Sequence, residues 1–203
     1  MDYIAFGNLT IPSTWISTVI ALIVTAAISR FILRRKTEDW YWNGFLVFFL
    51  VWKLSYIVFH FEIFIRTPLS VVYFNGGLKG HILALLSLSI YFVFLAKKNF
   101  PSISKDAIHL FILFFISYEL LHSVILDQFG EASLHGFILI SFIVVYTSLN
   151  KRMKLSPAQI ILIFSLLEFL AISLFRIIFT IEGLTFVWVG ITVLILTYFD
   201  RRN

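Results

Sequence analysis

Residues 42–61 read WNGFLVFFLVWKLSYIVFHF, a run whose only Lys, Arg, Asp or Glu is Lys53. Crossing the ~30 Å hydrocarbon core of a bilayer takes about 20 apolar residues in a helix. This stretch meets that length, and nothing in it breaks a helix. It also places a cation within the apolar layer, where a charge is costly and by default marks a functional position with a partner. The two readings, a membrane span and a site inside it, organise the rest of the chain.

Working outward, the 203 residues are 60% hydrophobic, 18% aromatic and 13% charged. A soluble domain holds roughly 45–50% apolar and about 25% charged residues, so the composition is that of an integral membrane protein. The net charge of +5 comes from short basic runs flanking apolar segments. That arrangement differs from the patch or stripe of a nucleic-acid binder, so no nucleic-acid partner is expected. Cysteine is absent, which excludes disulfides, thiolate zinc sites and a cysteine nucleophile. The first apolar segment has its basic residues after it, unlike a cleavable signal peptide. No internal repeat is visible, and a single transmembrane domain over residues 1–203 is expected.

Seven segments have spanning character: Ser13–Leu33, Trp42–Phe61, His81–Ala96, Ala107–Leu126, Leu134–Leu149, Gln159–Phe179 and Leu184–Tyr198. The third is short and has room to extend back into Gly76–Gly80. Arg30, Arg34, Arg35 and Lys36 gather on one side with Lys97, Lys98, Lys105, Lys151, Arg152, Lys154, Arg201 and Arg202. Asp2, Glu62, Asp127, Glu131 and Glu182 fall on the other. Basic residues accumulate in short cytoplasmic loops, which predicts an all-α, seven-span protein with its N-terminus outside and C-terminus inside. Glu62 to Gly80 is too polar to span and too apolar for a solvated loop. It reads as an interfacial or re-entrant segment, or as a simple turn before a helix. Asn75-Gly76-Gly77 with Gly80 permits tight turning or close backbone approach by a ligand.

Four cations depart from the basic side: Lys53 and Arg176 in apolar stretches, Arg66 and Lys79 in the outer connection. Lys53, Tyr56 and His60 share one helix face by their spacing. Lys53 reads either as a phosphate binder or as one half of an ion pair with Glu119 or Glu168. Arg176 reads as a bidentate phosphate ligand or as an arginine snorkelling to the interface. Glu168, eight residues before it and ~12 Å away along a helix, is not expected to pair with it. His81 opens the third span after the glycines, on the side that also holds His60, His122 and His135. Histidine titrates near neutral pH and is the natural proton acceptor there. Glu119 and His122, three residues apart, form a supporting pair that orients an imidazole or neutralises a cation. His109 falls on the inner side, apart from the rest. No carboxylate–histidine spacing matches a familiar ligand motif, so neither a metal nor a cofactor is expected.

The run KLSYIVFHFEIFIRTPLSVVYFNGGLKGH, Lys53 to His81, resembles a pattern of prolipoprotein diacylglyceryl transferases. That pattern is R-I-G-Y-x-L-F-Y, then D-P-L, then W-D-G-G-M-S-F-H. It sets Lys53 on an arginine, Tyr56 on a tyrosine, Thr67-Pro68-Leu69 on D-P-L, Asn75-Gly76-Gly77 on D-G-G, and His81 on the family's catalytic histidine. Phe175-Arg176-Ile177-Ile178 is similar to the family's F-R-I-I. The chain departs where the family has G-R-x-G-N-F-x-N-x-E and a large outer head, since here residues 118–136 read YELLHSVILDQFGEASLHG. H-P-S-Q-L-Y-E has no counterpart beyond Ser156-Pro157-Ala158-Gln159, on the inner side. The resemblance implies a short, head-domain-less relative in a bacterial-type plasma membrane, acting on an anionic phospholipid such as phosphatidylglycerol. Arg176 and Lys53 would hold its phosphate, Tyr56 and Asn75 orient the glyceryl region, and Gly76, Gly77 and His60 line the site. His81 would deprotonate the acceptor, a lipobox cysteine of a preprolipoprotein. The competing expectations are a lipid-binding module that keeps the fold without turnover, and a small-solute transporter using Lys53, Glu119 and Glu168.

Overall fold

A computed structural model describes residues 3–6, 9–98, 101–149 and 155–200. Asp2, Lys151, Arg152, Lys154, Arg201 and Arg202, which carry part of the expected charge asymmetry, lie outside the described residues. The fold is all-α apart from an N-terminal hairpin, β1 (Tyr3–Phe6) with β2 (Leu9–Pro12), in antiparallel register Tyr3 to Pro12. The helices are α1 (Ser13–Ala27), α2 (Asp39–Phe59), α3 (Phe61–Arg66), α4 (Ser70–Tyr73), α5 (Gly77–Lys97), α6 (Pro101–Ile125), α7 (Phe129–Leu149), α8 (Pro157–Ser173) and α9 (Ile181–Asp200). α1 continues into a wider π-helical turn, Ile28–Ile32.

Among the described residues five stretches are long and apolar enough to cross a membrane: Ser13–Ile32, Asp39–Phe59, Gly77–Lys97, Asp106–Ile125 and Phe129–Ser148. The expected sixth and seventh spans are the shorter apolar helices Ala158–Ser173 and Ile181–Thr197. At ~1.5 Å per residue the first of these runs about 24 Å, short of a ~30 Å core, whereas α9 as a whole has 20 residues and reaches about 30 Å. The pattern of burial suits lipid as the solvent. Val58, Ile90, Phe137 and Leu170 are well exposed, whereas Ser13, Ser17, Thr25, Ser117, His135 and Glu168 are enclosed. With hydrocarbon outside, apolar side chains lose nothing by facing outward, and polar ones gather where protein partners exist.

The chain forms two compact units. One comprises residues 1–37 and 105–186, the other residues 38–104 and 187–203, so α9 contributes its first turns to the first unit and the remainder to the second.

In the first unit, α1 and the π-helical turn after it present Ser13, Ser17, Ala21, Thr25 and Ser29 at four-residue intervals, all enclosed. Small side chains at that spacing let helix backbones approach closely. α1 ends with Arg34 in the left-handed region at φ 56°, while the Arg35 N–H donates to the Ser29 carbonyl at 2.8 Å. This is the closing geometry that usually recruits glycine. α6 is buried at positions 110–113, 115–119, 122 and 123. Beside it Phe186 gathers Phe111, Phe115, Phe164 and Phe169, with ring centroids 4.7–5.9 Å from its own. Asp127, at φ 57°, turns the chain from α6 into α7, with Gln128 N–H donating to Ser123 O. α8 starts on a capping box: Ser156 Oγ accepts from Gln159 N–H, and the Gln159 side chain accepts from Ser156 N–H. Ser156-Pro157-Ala158-Gln159 is thus a helix start, with Pro157 favoured in the first turn.

In the second unit α2 and α5 form the most extensive helix pair among the described elements. The glycines explain how. A Cβ on Gly76 would stand 1.8 Å from Ser55 Oγ and 3.0 Å from the Trp52 carbonyl, and one on Gly80 would stand 2.2 Å from Ser55 Oγ. Gly76 N–H donates to that same carbonyl at 3.1 Å. The close approach foreseen for the glycines is therefore made by α2. Gly77 differs: its φ of +58° is the left-handed conformation glycine adopts without strain. The segment from Glu62 to Gly80 is built of most of α3, α4, a turn and the start of α5, and the third span extends back to Gly77.

A buried carboxylate, histidine and arginine cluster

The sixth span was expected to run to Phe179, but α8 stops at Ser173. Residues 174–180 contain neither Gly nor Pro, so local sequence does not end the helix. Arg176, whose backbone N–H still donates to the Ile172 carbonyl at 2.9 Å, meets two carboxylates just beyond the helix end. Its Nη2 donates to Glu119 Oε2 of α6, and its Nε donates to Glu131 Oε1 of α7 at 3.1 Å. Glu131 lies in the first turn of α7, where the helix N-terminus favours a carboxylate. His135, one turn on, shares its face. The His135 Nε2 lies 3.8 Å from Glu131 Oε1, and its Nδ1 lies 3.3 Å from Glu168 Oε2 of α8.

Four elements thus bring three carboxylates, one imidazole and one guanidinium together within the first unit. His135 is 0% exposed, Glu168 1%, Glu131 3% and Glu119 5%. The Arg176 side chain keeps 26% of its surface. It forms one wall of a cleft of about 270 Å³ with Gln128, Phe129, Gly130, Glu131 and Phe175. The cluster therefore grades from a partly open arginine to a closed histidine. Neither ring nitrogen of His135 and neither oxygen of Glu168 completes a hydrogen bond among the described residues.

The residues singled out from sequence divide between the two units. Arg176, Glu119 and His122 belong to the first, and Lys53, Tyr56, His60, Asn75, Gly76, Gly77 and His81 to the second. Glu119 supports Arg176, whereas His122 meets Ser17 Oγ through Nδ1 at 3.2 Å and stacks on Tyr118. Glu119 and Glu168, the partners considered for Lys53, pair with Arg176 and His135. In the second unit Tyr56 is buried, its ring between His60 at 5.0 Å and Phe74 at 5.8 Å. Asn75 Oδ1 accepts from Gly77 N–H at 2.9 Å, closing the turn before α5. His81 sets its ring edge-on to Phe48 at 5.4 Å, and Lys79 lies over Phe59 at 5.9 Å. Arg66 is exposed at the end of α3. His109 joins Asp106 at 3.9 Å, and Asp106 also accepts from Arg35 at 2.7 Å.

Glu131, His135 and Glu168 complete the cluster, and sequence reading left them out of the candidate site. The available signal was Glu131 and His135 at i, i+4 in an apolar helix. Metal binding had been set aside for want of a familiar motif. Glu119, Glu131 and His135 nevertheless offer donor atoms within 4.8 Å of one another, which is geometry suited to a cation. No protein-family model, curated protein or solved structure matches this chain.

Proposed function

We propose that this is a seven-span membrane protein, N-terminus outside, whose working centre is the buried cluster around Arg176 and whose ligand is a cation. The two shorter apolar helices complete the seven spans in this reading. One observation carries the ligand class: Glu119 and Glu131 contact Arg176 and Glu168 contacts His135, so three carboxylates share one guanidinium and two negative charges stay uncompensated when His135 is neutral. Buried charge that is not balanced is strongly disfavoured, so such a site recruits positive charge. The cleft at Glu131 and Arg176 supplies the route. A thermal-shift series on the purified protein in detergent tests this, using protons, alkali and divalent cations and organic amines. At least one cation is expected to stabilise the wild type, with the effect lost in Glu131→Gln. Equal shifts in both proteins, or none, reject the reading.

A second reading is supported by the walls of the same cleft. Exposed Phe129 and Phe175 flank the guanidinium, an apolar surface beside a cation such as a phospholipid headgroup site offers. Here the protein is a divergent diacylglyceryl transferase, or a lipid-binding module of that fold, in a bacterial plasma membrane. Arg176 holds the phosphate in this reading. An anionic headgroup would have to compete with Glu119 and Glu131 for Arg176, which is why this reading ranks second. Incubation with labelled phosphatidylglycerol and a lipobox peptide tests it. Transfer abolished by His81→Ala and Arg176→Ala supports it, whereas lipid retained without transfer supports the binding module.

A further inference from the structure

We infer that the cluster is a binding site for a divalent transition-metal ion, held by Glu119, Glu131 and His135 with Glu168 orienting the histidine. This rests on the cation reading and names its ligand class.

Three independent features lead there. The first is the histidine itself, wholly enclosed, with two ring nitrogens that complete no hydrogen bond among the described residues. An imidazole buried in that state is costly unless something engages it. Its Nε2 is aimed at Glu131 Oε1 from 3.8 Å. That is too long for a hydrogen bond, which spans about 2.7–3.2 Å. It does suit two donors on one ion: with metal–ligand bonds of ~2.0–2.2 Å, donor atoms at a tetrahedral angle stand about 3.4 Å apart and wider angles separate them further.

The second feature is the far side of the ring. Nδ1 faces Glu168 Oε2 at 3.3 Å, and Glu168 is 1% exposed. A carboxylate 3.3 Å from one ring nitrogen, closer than Glu131 is to the other, favours by charge the tautomer with its proton on that side and a lone pair on Nε2. Histidine ligands are commonly supported in this way. Here that lone pair points toward Glu131.

Charge supplies the third. Three carboxylates sharing one guanidinium leave two negative charges, and a dication brings the buried group to neutrality with the imidazole uncharged. Arg176 then stays bonded to Glu119 Oε2 and Glu131 Oε1, while carboxylate rotation draws donors that lie within 4.8 Å of one another onto one centre. A mixed nitrogen and oxygen donor set suits zinc, manganese, iron or cobalt better than calcium or magnesium, which prefer all-oxygen shells. Zinc favours four ligands, so a water would complete the set with Glu119, Glu131 and His135.

Cobalt(II) is the direct probe. Adding Co²⁺ alone to metal-stripped protein in detergent is expected to give a saturable visible absorption, displaced by Zn²⁺. His135→Gln should lower Co²⁺ affinity by more than about 100-fold. Glu168→Gln, which removes only the orienting carboxylate, should lower it by about 10–100-fold. Because His135→Gln can fail to fold, the wild-type spectrum and the Glu168→Gln titration carry the test without it. A Co²⁺ spectrum unchanged by Glu168→Gln overturns the proposal. So does the absence of a spectrum while protons, alkali ions or amines still stabilise the protein, an outcome that leaves the broader cation reading standing. If no cation of any kind has an effect, both fall together.

Discussion

Replacing Arg176 by methionine tests whether the cluster is an electrostatic unit. At an effective dielectric of about 20, unit charges 3.1 Å apart, as for Nε and Glu131 Oε1, attract by ~5 kcal/mol. Desolvation of both groups opposes that gain, and removing one partner of a buried pair costs ~3–5 kcal/mol. Because the Arg176 side chain is 26% exposed, the lower end applies, about 3 kcal/mol. For a chain of this size each kcal/mol moves Tm by roughly 2–4 °C, so the apparent Tm in detergent should fall by about 6–12 °C. Arg176→Met leaves Glu119 and Glu131 facing each other without their counterion. Adding Glu119→Gln in the same chain removes that repulsion and should restore about half the loss, although Glu119→Gln alone is destabilising. Arg66→Met and Lys79→Met, at exposed cations, serve as controls and should move Tm by less than about 2 °C. A fall for Arg176→Met no larger than these controls, or additivity of Arg176→Met with Glu119→Gln, refutes the reasoning.

Other expectations rest on packing. Gly80→Ala drives a Cβ to 2.2 Å from Ser55 Oγ, so it should destabilise by ~1–3 kcal/mol and be largely rescued by Ser55→Gly. Gly76→Ala should resist the same rescue in thermal melts, because its Cβ also meets the Gly80 Cα at 2.8 Å and the Trp52 carbonyl. Ala21→Leu, at a fully enclosed position of the α1 stripe, should cost ~1–3 kcal/mol by overpacking, whereas Ile23→Leu, which is 56% exposed, should leave the melt unchanged. Asp106→Asn breaks a pair whose arginine is 39% exposed, and a melting curve should show at most ~1 kcal/mol.

Helices were legible wherever hydropathy alone decides them. The first five expected spans fall on α1, α2, α5, α6 and α7 because each is a sustained apolar run of spanning length. The end of α8 at Ser173 was not legible, since residues 174–180 contain neither Gly nor Pro, and the carboxylates that meet Arg176 come from α6 and α7. The site was half legible for a related reason. A cation in an apolar run announces itself, so Arg176 stood out, and Glu119 was taken as a neighbour. Glu131 looked like a loop acid because it falls at the edge of its span. His135 looked like one of several interfacial histidines, and only the fold shows that its two nitrogens face two carboxylates. The glycine turn was noticed for its freedom, yet the partner that needs the space is Ser55 on α2, which no spacing argument within residues 75–80 contains.

The rings around Phe186 bear on how anything bound at the cluster would leave. Phe111 and Phe115 lie one to two turns back along α6 from Glu119, and Phe164 and Phe169 flank Glu168 on α8. Their contacts through Phe186 gather these rings into one aromatic cluster. Between Asp106 and Glu119 the sequence of α6 carries no acid, so a cation released from the carboxylate cluster meets no second acidic station along that helix for about three turns.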